Sequence, residues 1–188
     1  MYKQCRTEQS AARQRELLAG LQDAMNQQHY DEITVSGLCE YMQIPRKSFY
    51  RYFSSKEGAL HALIDYSLLD SDSFREKWLK GSVAVQEELE QLFAYWYQKK
   101  HLLDALANSG LSGVLVQRAI GHAVEETSRD KTLTNQDQQN AQKYSTLYAV
   151  SGIMSLVIQW HHDGYPQTPK QMAKIAHGLV TRPLIPNL

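Results

Sequence analysis

The residues best equipped for chemistry cluster between positions 45 and 56. The run Pro45-Arg-Lys-Ser-Phe-Tyr-Arg-Tyr-Phe53, followed by Lys56, carries four cations and no acid. Pro45 suits the first position of a helix, because the N–H it lacks is not needed there. A helix of about Arg46 to Tyr52 then places Arg46, Lys47 and Ser48 in its first turn. When such a helix lies in a DNA major groove, first-turn side chains reach base edges. A guanidinium pairs with guanine O6 and N7, and a hydroxyl serves several bases. The hydroxyls of Tyr50 and Tyr52 and the ammonium of Lys56 suit phosphate oxygens, which position a protein without specifying sequence. Arg51 adds charge to the same segment. Phe49 and Phe53, four residues apart, should face inward and anchor the helix.

Other chemistry finds less support. Cys5 and Cys39 are too few for a disulfide framework and form no C-x-x-C pair. A reduced compartment fits them, and a cytoplasmic location is expected. His161-His162-Asp163 and His122-x-x-Glu125 have ligand-like residue types, but structural zinc wants four ligands at defined spacing. The two histidines read better as a favourable positive end to a helix. Gly110-Leu-Ser-Gly113 is one residue short of a nucleophile elbow, and there is no H-E-x-x-H, P-loop or G-x-G-x-x-G. No enzymatic role, cofactor or metal is expected.

The elements that must position the basic helix all read as helical, because the long segments carry 3–4 spacing and none alternates as a strand would. Arg13–Gln28 places Leu17, Leu18, Leu21, Ala24 and Met25 on one face. Tyr30 and Ile33 anchor a connector. Thr34 caps a short helix with Val35, Leu38, Cys39 and Met42 inward, and Gln43 and Ile44 make a turn. Ser54-Ser-Lys-Glu57 reads as a capping box, with Ser54 the cap. It opens a helix striped by Leu60, Leu63, Ile64 and Leu68 that could bend at Ser71–Ser73. Further helices are expected over Gln86–His101, Leu111–Ser128 and Gln142–His162, with Asp130–Gln139 a loop. Gly164 and Pro166 stop the third of these. Thr168-Pro-Lys-Gln171 opens a last helix whose face is Met172, Ile175, Ala176, Leu179 and Val180, and Pro183 and Pro186 end the ordered chain. Helix, short turn, basic helix over 34–53 is helix-turn-helix grammar.

Residues about 12–64 resemble the DNA-binding domain of the TetR/AcrR family of transcriptional regulators. Thr34-Val35, Leu38, the Tyr50-Arg-Tyr-Phe53 run, Lys56 and Leu60 carry the resemblance. It implies an all-α fold: a three-helix helix-turn-helix domain over 1–56, running into a linking helix, and a helical effector-binding and dimerisation domain over 57–188. It also implies phosphate contacts at the Thr34, Tyr50, Tyr52 and Lys56 positions. Two residues depart from the family pattern. Gln43 stands where Gly is usual, and a left-handed backbone there would cost Gln roughly 1 kcal/mol. Pro45 replaces a Ser or Thr that would cap the helix. The family's effector pocket would fall among Trp78, Phe93, Trp96 and Tyr148, with Tyr97, His101 and Gln117 as its polar part; an apolar cavity with a few polar groups is the usual ligand site.

Ala149 and Gly152 are small enough for close helix approach, and Ile153, Leu156 and Trp160 supply apolar area. Paired with Met172, Ile175 and Leu179, they would let two copies form a four-helix bundle, the dimer the resemblance also implies. The expected partners are therefore a near-palindromic DNA operator, a small-molecule effector and a second copy. The expected function is a repressor released by its effector; a TetR-like module acting on a partner protein is the alternative.

The bulk composition agrees once it is divided. The 188 residues hold 20 basic and 20 acidic side chains, a formal charge of zero. Residues 43–56 hold four cations and no acid, while 57–130 hold twelve acids and seven bases. The neutral total thus conceals a basic segment and does not argue against a nucleic-acid partner. The first eight residues have no apolar core, so no signal peptide is expected. Tyr144–His162 has no charged residue but is interrupted by Ser, Thr, Gln and His, which reads as a helix buried in protein and not in a membrane.

Overall fold

A computed structural model describes residues 2–79, 85–129 and 135–181, with the side chains of 70–79, 129, 180 and 181 outside the description. The described residues form nine α-helices and one 3-10 turn, and they divide into two compact units. The first comprises Met1–Leu69 and His101–Ser112, and the second Asp70–Lys100 and Gly113–Leu188. No described helix is long and apolar enough to cross a membrane.

In the first unit, α1 (Glu8–Gln27) begins earlier than the apolar stripe suggests, because Thr7 caps it by accepting the Ser10 N–H. Leu17, Leu18, Leu21, Ala24 and Met25 are buried as expected. Gly20 on the same helix lets Met42 lie against the backbone; a Cβ there would overlap the Met42 side chain. A 3-10 turn, Tyr30–Glu32, buries Tyr30, and Ile33 follows it into the core. Thr34 caps α2 (Val35–Tyr41), its Oγ1 accepting the Gly37 N–H at 3.0 Å. Leu38 and Cys39 are buried, whereas Val35 and Met42 are half-buried.

The turn after α2 is a Schellman cap. The Ile44 N–H donates to the Cys39 carbonyl and the Gln43 N–H to that of Glu40, which requires a left-handed residue at Gln43. Its φ is 53°, so the strain expected at this non-glycine position is present. Pro45 then serves as the cap of α3 (Arg46–Tyr50), not its first residue, and it gives no side-chain cap bond. The basic helix ends two residues sooner than its sequence suggests.

The next helix, α4 (Lys56–Leu79), is capped by Ser55, not Ser54: the Ser55 Oγ accepts the Gly58 N–H. Leu60, Leu63, Ile64 and Leu68 are buried, and α4 continues unbroken through Ser71–Ser73. A helix missed in the sequence, α6 (Lys100–Asn108), completes this unit with Leu102, Leu103, Ala105 and Leu106. It ends in a second Schellman cap at Gly110, whose φ is 67°. Just before that glycine, the Ser109 Oγ accepts the Tyr30 N–H at 3.0 Å.

The second unit contains α5 (Val85–Gln98), α7 (Ser112–Arg129), α8 (Gln136–His162) and α9 (Pro169–Thr181). The last of these packs chiefly on α5. Asn135 caps α8, so this helix reaches well into the expected loop. Its far end closes at Gly164 as expected, by a third Schellman cap in which Tyr165 donates to the Trp160 carbonyl. The capping box of α9 is complete: the Thr168 N–H donates to Gln171 Oε1 and the Gln171 N–H to Thr168 Oγ1. Val180 by its side chain, Pro183 and Pro186 lie outside the described residues.

Candidate nucleic-acid interface

A recognition helix needs a rigid inner face and a free outer one, and α3 has both. Phe49 and Phe53 are 1% exposed, with ring centroids 5.2 Å apart, so the inner anchor expected of them is present. Arg46, Lys47, Tyr50 and Arg51 are exposed and Ser48 is half-buried. Pro45 supplies no side-chain cap to the first turn of α3, where the Ser48 N–H donates to the Pro45 carbonyl at 2.8 Å.

The phosphate-type residues are arranged less uniformly. Thr34 is exposed at the start of α2, its hydroxyl also capping that helix. Tyr52 is 7% exposed, its ring packed in the core, and its hydroxyl is not among the buried polar atoms that lack a partner. The Arg51 guanidinium lies 5.9 Å from its ring centroid. Lys56 donates from Nζ to the Tyr30 carbonyl at 2.7 Å and sits 4.1 Å from the centroid of the Tyr30 ring. It therefore ties the start of α4 to the connector before α2. Burial, reinforced by the carboxylates of Glu57 and Asp31, pushes the Tyr30 hydroxyl well above the usual tyrosine value, and that buried hydroxyl has no hydrogen-bond partner. The Glu57 carboxyl is held below the ordinary range by its own backbone N–H and by Ser55.

The sequence reading missed a strap at the N-terminus. Tyr2 pairs with Phe53 in an isolated antiparallel bridge, and the Lys3 N–H donates to the Tyr52 carbonyl at 3.0 Å. The Tyr2 hydroxyl donates to buried Asp65 at 2.8 Å. Gln14, fully buried on α1, donates to the Lys3 carbonyl and accepts from the Tyr66 hydroxyl and the Cys5 thiol. The buried glutamine on an apolar helix face was the one available signal.

The residues assigned to an effector pocket fall in both units, His101 in the first and the others in the second. Phe93 and Trp96 are fully buried, and Phe93 meets Trp160 edge-on. Tyr97 is 44% exposed and packs on Trp160 and Tyr165. His101 belongs to α6 in the first unit and is exposed beside Asp104. Gln117 is exposed, and the Trp78 side chain lies outside the described residues. Exposed Tyr148 lines an open groove with Tyr144, Leu147, Ser151, Gly152 and Ser155, all on one face of α8.

The residues assigned to self-association divide in two. Trp160 and Met172 are buried within the single chain, where Trp160 Nε1 donates to the Gln167 carbonyl, so they are core. Gly152, Ile175 and Leu179 are exposed, and Ala149, Ile153 and Leu156 half-buried. Among the described residues, no three His, Cys, Asp or Glu side chains gather to hold a metal.

This all-helical architecture, with a helix-turn-helix in one unit, is that of a transcriptional regulator. Residues 84–182 match the family model described as the C-terminal region of TetR-type transcriptional regulators, and the chain belongs to that family. Solved structures share the fold, and two of them serve for comparison. The fatty acid degradation regulator FadR from Bacillus halodurans is similar with a TM-score of 0.60 at 15% identity, over 92% of this chain and 96% of that one. The dihydroxyacetone kinase operon activator DhaS is similar with a TM-score of 0.54 at 15% identity, over 89% and 93% respectively. No curated protein sequence matches.

Proposed function

We propose that this regulator is a cytoplasmic homodimer that represses by occupying a near-palindromic DNA operator and leaves it when a small molecule binds the second unit. The observation that carries the reading is α3: Arg46 and Lys47 are exposed on its first turn while Phe49 and Phe53 fix its opposite face. Arg46, Lys47 and Ser48 read bases; Thr34, Tyr50 and Arg51 contact phosphates. Tyr52 adds its hydroxyl to the phosphate contacts, and Lys56 acts mainly by holding these residues in place. A C2 dimer would set the two α3 helices about 34–36 Å apart, one turn of DNA. The uncovered face of α8, with Ile175 and Leu179 on α9, supports pairing of two copies. An effector releases DNA only by binding more tightly to a state whose α3 spacing no longer fits.

Fluorescence anisotropy against duplexes selected from a random pool tests this. Salt-dependent, sequence-selective binding is expected. Lys47→Ala should cost about 1–3 kcal/mol at one base position and relax preference there. Sedimentation at micromolar concentration should show a dimer, and a monomer would refute the pairing. A second reading, regulation through a partner protein, draws on the internal engagement of Lys56, whose ammonium donates to the Tyr30 carbonyl. The absence of selective duplex binding would favour it.

A further inference from the structure

We infer that the N-terminal strap is part of the DNA interface, with Lys3 presented beside the recognition helix as a phosphate-binding cation. This inference rests on the DNA-binding reading above and extends it to a segment outside the helix-turn-helix.

Both backbone polar groups of Lys3 are committed. Its N–H donates to the Tyr52 carbonyl at 3.0 Å, two residues past the end of α3, and its carbonyl accepts from the buried Gln14 amide at 3.0 Å. Tyr2 is held as firmly, by its bridge to Phe53 and its hydroxyl bond to buried Asp65. Successive side chains of an extended segment point to opposite faces. Because Tyr2 turns toward the protein, Lys3 turns away from it, and it is exposed. Its backbone partner Tyr52 adjoins exposed Arg51, so the strap adds a cation next to those of α3. Anchoring the backbone at both ends means that only side-chain freedom is lost when this ammonium meets a phosphate.

A lysine that neutralises a phosphate releases counterions, so it steepens the salt dependence of binding without changing sequence preference. The full-length protein is titrated into a random-sequence duplex of about 30 base pairs at a series of salt concentrations. Lys3→Gln should make the slope of log affinity against log salt shallower by about 0.9 per protomer. Equivalently, raising salt from about 50 to 200 mM should cost the variant three- to fourfold less affinity per protomer than it costs the wild type. Lys3→Arg should restore the slope, and Lys170→Gln, an exposed lysine on α9, should leave it unchanged. A wild-type slope in Lys3→Gln overturns the inference, as does an equal fall in Lys170→Gln. If the wild type itself shows no salt-dependent binding to the duplex, the DNA-binding reading fails first, which is a separate result.

Discussion

Among the described residues, the ties that can be named differ between the two units. The first uses polar side chains as ties between segments distant in sequence: Tyr2 to Asp65, Gln14 to Lys3 and Tyr66, Lys56 to Tyr30, and Tyr30 to Ser109. The second closes its far end with rings. Phe93, Tyr97 and Tyr165 all pack on Trp160, with centroids 4.8–5.9 Å apart. Directional bonds fix geometry within tenths of an ångström, which suits a surface that must match DNA. Ring packing is less directional and tolerates repacking. Under the proposed function, the difference would fit a rigid reading head and a more adaptable effector-binding unit.

The largest effects should come from the anchors of each unit. Phe49→Ala and Trp160→Ala each remove a nearly fully buried ring, and each should cost about 3–5 kcal/mol. Guanidinium denaturation measures both. If the polar ties dominate the first unit more than its rings do, Phe49→Ala will fall well below that range while Trp160→Ala stays within it.

Among the described residues, each unit also holds one non-glycine residue in the left-handed region: Gln43 at φ 53° and Tyr165 at φ 60°. The same change to glycine should have opposite signs at the two. Gln43 is exposed, so Gln43→Gly relieves strain at little cost and should stabilise by about 0.5–1 kcal/mol, a rise of a few degrees in Tm. Tyr165 packs against Trp160, Tyr97 and His161, so Tyr165→Gly loses more than it relieves and should destabilise by about 2 kcal/mol. Two stabilising results would show that the ring cluster contributes little.

Matched helix caps give a smaller and cleaner contrast. Thr34 and Thr168 each accept the N–H three residues on, at 3.0 and 3.3 Å. Either change to Ala should cost about 1 kcal/mol in thermal unfolding. Only Thr34→Ala should also weaken duplex binding in the anisotropy titration, and an equal effect of Thr168→Ala would remove Thr34 from the interface.

What could be read from sequence followed the range of the interactions. Thr34, Gly164, the Thr168–Gln171 box and the inward pair Phe49 and Phe53 are all local spacings, and each is found as read. The Ser54-Ser55 doublet misled by one residue: with Ser55 as the cap, the third helical residue is Gly58, which has no side chain to complete a capping box. The helix α6 was hidden because Lys99-Lys100-His101 resembles a cationic helix end; the chain does break there, but a new helix starts at once. The first turns of α8 were read as loop because residues 135–145 are exposed throughout and carry no apolar stripe to detect. The strap was barely legible: its bonds to Tyr52 and Asp65 join residues 49 and 63 positions apart, and a glutamine at position 14 on an apolar helix face was its one signal.

The smallest effect is a pH dependence that tests whether every tie in the first unit is favourable. The Tyr30 hydroxyl is buried without a partner, and its folded-state ionisation lies above the usual value of about 10. The fold therefore prefers the neutral form. The unfolded chain gives up this proton first, so as pH rises past about 10 it gains an ionised form that the folded state resists, and stability falls. Tyr30→Phe keeps the ring under the Lys56 ammonium and the backbone bonds of residue 30, but removes the orphan hydroxyl. It should be neutral or up to about 1 kcal/mol stabilising near pH 7, because a buried unpaired donor is unfavourable. It should also flatten that part of the decline in Tm measured between about pH 9 and 11. A clear loss of stability in Tyr30→Phe at neutral pH would mean that the hydroxyl is held by a favourable interaction, and that the first unit contains one more polar tie than its hydrogen bonds show.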